Sequence, residues 1–200
     1  KNYILIKNLM KINALILILY SFVFYLYSQK VFAKYEITDP PGCFNNKGEA
    51  VKFENMKSKT GKITIGIAKK DILGKPIVYR FNYDKSSKIL QKFVDYHECA
   101  HHQTGDLEKR NLPHNSKDYL LREDIADCIA AIRMKSDHLN SKNLIIITLK
   151  ELKKAMRFIG FDELSIKRRK DNILKCFNKN VSLTKYIESV AKQKNITKIK

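Results

Sequence analysis

Apolar and polar positions change their period along the chain, and each change predicts a different element. Residues 12–29 form an uncharged run rich in Leu, Ile, Phe and Tyr. The stretch 34–83 is turn-rich, with Pro40-Pro41-Gly42 and Asn45-Asn46-Lys47-Gly48. Within it, 62–68 alternates with period two and 77–81 is β-branched and aromatic, so both segments read as strands. From Asp84 the period becomes helical. Ile89, Phe93, His97 and His101 recur every four residues with Leu90 and Val94 beside them, an amphipathic helix that Asp84 or Ser86 would cap. Gly105 and Pro113 break this pattern. A second helix is expected over about 117–135, carrying Leu121, Ile125, Ile129 and Ile132, and further helices over 145–159, 166–178 and 182–194. There is no internal repeat. The pattern predicts an α+β fold over 34–200, one domain with a β-rich lobe at 34–83 and a helical part at 84–200.

The apolar run at 12–29 changes the expected setting. Lys1, Lys7 and Lys11 precede it, no acidic residue occurs in 1–33, and Val31-Phe32-Ala33 follows it. Basic start, apolar middle and small-residue end are the order of a secretory signal, with cleavage expected after Ala33. The competing reading is an uncleaved membrane anchor, which would make 12–29 the part of the chain in contact with lipid. Both place the remainder outside the cytosol, periplasmic or secreted. In an oxidising compartment Cys43, Cys99, Cys128 and Cys176 suggest two disulfides, with three possible pairings.

Charge adds less than its size suggests. The formal net charge is +19, from 39 basic and 20 acidic residues, but 32 of the basic residues are Lys and only 7 are Arg. Nucleic-acid readers favour Arg for its bidentate contacts, so this balance reads as a solvated, Lys-rich surface and no nucleic-acid partner is expected.

The chemistry is concentrated at 97–127. His97-Glu98-Cys99-Ala100-His101 places two imidazoles four residues apart, on one face of the expected helix, where both can reach one zinc ion. Glu98 sits one step around and can take a proton from water that the metal acidifies. Twenty-two residues beyond His101 come Glu123 and Asp127, again four apart. Two His ligands need a third protein ligand, which a carboxylate on a neighbouring helix supplies while leaving a position open. The second carboxylate can accept the remaining ring N–H of a ligating His. Thr104 and Leu107 stand where a metzincin needs Gly and His, no second E-x-x-H exists for a di-iron bundle, and no C-x-x-C accompanies the motif as in deaminases.

H-E-x-x-H followed by E-x-x-A-D resembles the gluzincins, the thermolysin-like zinc metallopeptidases. His97 to Gln103, taken with Glu123-Asp124-Ile125-Ala126-Asp127-Cys128, looks most like the small bacterial neutral zinc metallopeptidases, which pair H-E-x-G-H-H-x-Q with E-L-Q-A-D-C. The resemblance covers about 97–133. It implies a zincin-like fold and a peptide or protein substrate. It also implies His97, His101 and Glu123 as zinc ligands, Glu98 as general base and Asp127 as partner to His97. Ala100 replaces a usual Gly, and 161–165 lacks the His expected before Arg168-Arg169. His102, Tyr119, His114 and His138 are the groups that could take over transition-state stabilisation. Tyr79 and Arg80 are candidates for the strand that borders a zincin cleft, and Arg122 reads as a helix-face ion pair with Glu123. Two other classes stand beside the hydrolase: an exported protein that binds zinc without catalysis, and a basic module binding anionic polymers, with the metal motif incidental.

Overall fold

The computed structural model describes residues 35–57, 61, 63–108, 113, 116–137 and 141–193. The chain divides into two units, 1–34 and 35–200, and the expected leader or anchor, in the first, lies outside the described residues. No helix among the described residues is long and apolar enough to cross a membrane. The second unit is α+β: among its described residues a three-stranded sheet precedes five helices.

Strands β1 (Lys52–Met56), β2 (Ile65–Lys70) and β3 (Pro76–Phe81) lie in the order β1-β3-β2, with β1 parallel and β2 antiparallel to β3. The apolar segment at 77–81 is therefore the central strand, and its Ile77 and Val78 are buried. Expected strand 62–68 begins three residues later. Thr64 is tied to the Asn82 carbonyl at 3.0 Å and to the Ser86 hydroxyl at 2.6 Å, which keeps it out of the ladder. β1 was not expected. Its exposed and half-buried positions carry little apolar signal, and it is held mainly by main-chain pairing to β3.

Helix α1 (Lys88–Gln103) is capped by Ser87, whose side chain accepts from the Leu90 amide. Neither expected cap serves. Asp84 lies in a 3-10 turn and Ser86 is taken by Thr64. Thr104 closes the helix and Gly105, at φ +67°, turns the chain away. Helices α2 (Lys117–Asp137), α3 (Ser141–Phe158), α4 (Glu163–Phe177) and α5 (Leu183–Gln193) follow. Phe93 and Tyr96 of α1 pack with Ala130, Ala131, Ile132 and Met134 of α2 and with Ile145, Leu149, Ile173 and Phe177 of α3 and α4. The small residues on α2 let its neighbours come close, which brings carboxylates on α2 within reach of α1.

Of the three possible pairings, the cysteines form Cys43–Cys99 and Cys128–Cys176. The first ties the amino-terminal loop to α1, and the second ties α2 to α4. Closing loops with separations of 56 and 48 residues is worth about 4 kcal/mol each in chain entropy.

Tyr79 and Arg80 do not border a cleft, because β3 is central. Arg80 is buried and pairs with Asp95 at 2.7 Å, while the Tyr83 hydroxyl donates to the same carboxylate at 2.9 Å. The cleft strand is the edge strand β2.

Candidate metal centre

His97 and His101 project from one face of α1 toward α2, as their spacing requires. The His97 Nδ1–H donates to Asp127 Oδ1 at 2.9 Å, and the His101 Nδ1–H donates to Asp106 Oδ2 at 3.0 Å. Both rings thereby turn their Nε2 atoms toward each other, 3.2 Å apart. Glu123 meets the same point, with one oxygen 3.3 Å from His97 Nε2 and the other 3.6 Å from His101 Nε2. Ligand atoms on a tetrahedron with bonds of about 2.0–2.1 Å stand roughly 3.3 Å apart, so the three residues fit one zinc ion. They form the cluster that could hold a metal among the described residues.

The same carboxylates set the charge state of the cluster. Burial opposes charge on His97, but the Asp127 and Glu123 carboxylates outweigh it and carry the ring to about 10. Burial likewise opposes ionisation of Glu123, yet His97, His101 and Arg169 hold it at about 2. Asp127 is fully buried and would be raised by burial alone. Arg169 on α4 grips it through two hydrogen bonds, Nε to Oδ2 at 2.6 Å and Nη2 to Oδ1 at 2.8 Å, and with His97 brings it to about 2.

Glu98 lies beside this cluster in an open cleft of about 1130 Å³ that runs along β2. The Ala68 amide donates to Glu98 Oε2 at 2.8 Å, so this N–H points away from β3 and toward α1. Gly66, two residues earlier on the same edge, makes room for the Glu98 side chain. A Cβ there would lie 2.4 Å from Glu98 Cγ and 2.7 Å from Val94 Cγ1.

The remaining candidates separate. Tyr119 lines the cleft, and burial with the neighbouring Glu123 carboxylate pushes its hydroxyl up to about 12. His102 is turned about 100° further around the helix than His101 and faces the sheet instead. Its Nε2–H donates to the Ile77 carbonyl at 3.1 Å, and burial pushes its pKa down to about 4, so it is a neutral brace between α1 and β3. It does not line the cleft, which corrects its candidacy as a transition-state group. His114 and His138 lie outside the described residues. Arg122 is not a partner of Glu123: it reaches the Asp106 carbonyl at 3.3 Å and its carboxylate at 4.0 Å.

Asp106 and Arg169 were not expected to act here. Asp106 follows the helix-ending Gly105, so no periodicity marks it, although an acidic residue just past a ligand helix is a usable hint. Arg169 sits in a Lys- and Arg-rich stretch that reads as solvated surface. Compared with known proteins, the chain matches no family model, no curated protein and no solved structure.

Proposed function

We propose that this chain is a zinc-dependent hydrolase of zincin-like fold, most consistent with a metallopeptidase that acts outside the cytosol. The observation that carries the reading is the convergence of two imidazole Nε2 atoms and the Glu123 carboxylate, each ring anchored by its own carboxylate. Zinc held by His97, His101 and Glu123 would supply Lewis-acid polarisation of a carbonyl and would lower the pKa of water.

The protein's own groups divide the remaining work. Glu98, held through Oε2 by the Ala68 amide, accepts the proton of the attacking water and returns it to the leaving amine. Tyr119 keeps its proton at neutral pH and faces the cleft, so it can donate to the oxygen on which charge develops. β2 is an edge strand, and although its Ala68 amide is given to Glu98, its other outward-facing main-chain groups offer an edge along which an extended peptide can pair. Asp127, Asp106 and Arg169 fix the ligand rings and touch no substrate. The two disulfides fit an oxidising, exported setting.

Metal analysis tests the site directly. The purified chain should carry one zinc per molecule, lost or much weakened in Glu123→Ala. A wild-type chain that takes up no zinc on titration would overturn the reading. Gly66→Ala tests the placement of the base. Its Cβ must push Glu98 aside, so kcat should fall by about 10²-fold, the cost of a displacement near 1 Å, with zinc content unchanged. Equal kcat in the variant would show that the Glu98 position is not critical.

A further inference from the structure

The turn between β2 and β3 is built from Asp71-Ile72-Leu73-Gly74. Asp71 and Gly74 supply all the turn chemistry. The Asp71 carboxylate accepts from the Leu73 and Lys75 amides, both at 2.8 Å, and Gly74 adopts φ +76°. The two positions between them carry no structural demand, yet they are Ile and Leu. Ile72 is 101% exposed and Leu73 78%, so neither contributes to the core. A closed hairpin thus holds two adjacent apolar side chains in water.

The charges around them are chiefly basic. Lys69, Lys70 and Lys75 flank the tip and are all exposed. Lys70 shares Glu108 with Lys47, whereas Lys69 and Lys75 have no carboxylate partner among the described residues. The Asp71 carboxylate is occupied by the two amides. An apolar tip with cationic shoulders is the arrangement that seats a peripheral loop at an anionic bilayer, where lysines meet headgroups and the apolar pair reaches the acyl boundary. The net charge of +19 favours the same partner over a neutral surface.

We propose that the β2–β3 hairpin is a membrane-surface anchor that inserts Ile72 and Leu73 into bilayers containing anionic phospholipid. The proposal does not depend on the zinc reading. It would set the β2 edge of the cleft close to the lipid surface.

The chain contains no Trp, so Leu73→Trp in the full chain gives a reporter confined to the tip. With vesicles of phosphatidylglycerol and phosphatidylcholine its emission should shift to the blue and be quenched by brominated acyl chains. Adding Lys69→Glu and Lys75→Glu should weaken this response about tenfold or more, since each lysine near an anionic surface contributes measurably. An unshifted emission with these vesicles overturns the proposal, even if the chain binds them elsewhere, because the reporter is local. An equal shift with phosphatidylcholine alone overturns the anionic requirement. A shift without lipid that grows with protein concentration assigns the tip to self-association instead. Ile72→Trp gives an independent reporter should the first variant fold poorly.

Discussion

Glu98→Gln should leave the protein folded and zinc-loaded while lowering hydrolysis of a labelled casein substrate by about 10²- to 10⁴-fold, the usual range for losing a general base. The reasoning is local. Gln keeps the length and shape of Glu, and its amide oxygen can still accept from the Ala68 amide, so the side chain keeps its place above Gly66. It loses only the ability to hold a proton. Glu98 does not belong to the ligand set formed by His97, His101 and Glu123, so zinc content should stay at the wild-type level. The paired measurement separates two failures. A variant that hydrolyses at the wild-type rate removes Glu98 as the base, and one that also loses zinc makes Glu98 part of the metal cage.

The convergence of His97, His101 and Glu123 was legible because helical spacing is a strong constraint. Residues four apart must share a face, so His97 with His101 and Glu123 with Asp127 could be paired before any tertiary contact was known. What spacing does not encode is which helix lies opposite. Arg169 reaches Asp127 from α4 across 42 positions, a contact set by the packing of α2 on α4 and closed by Cys128–Cys176. Likewise His102 belongs to the motif by sequence and to the sheet by geometry, because one residue turns the side chain by a quarter of the helix circumference or more. Among the strands, β3 announced itself through buried apolar residues. β1 did not, since an edge strand with mixed exposure is stabilised by pairing rather than by side chains.

Asp127→Ala should have the largest effect on stability, and its consequences can be divided by a second substitution. Asp127 is completely buried and is gripped by Arg169 and by His97. Removing it leaves the Arg169 guanidinium largely buried, with a carboxylate no nearer than Glu123 at 4.0 Å, and stranding a charge in this way costs about 3–5 kcal/mol. It also frees the His97 ring to rotate, which should weaken zinc binding about 10- to 100-fold. In Asp127→Ala/Arg169→Met no charge is stranded, so thermal stability should largely return while zinc affinity stays low. If both properties returned together, Asp127 would act only as a counter-ion to Arg169. If neither returned, the helix packing itself would depend on the pair. The pH dependence has a definite sign. Because Asp127 is held at about 2 in the fold, below its ordinary 3.8, its contribution is fully present above about pH 4 and is lost as the pH falls through 2. Acid denaturation of the metal-free chain should therefore begin at higher pH in Asp127→Asn, which keeps an acceptor for His97 but cannot carry the charge.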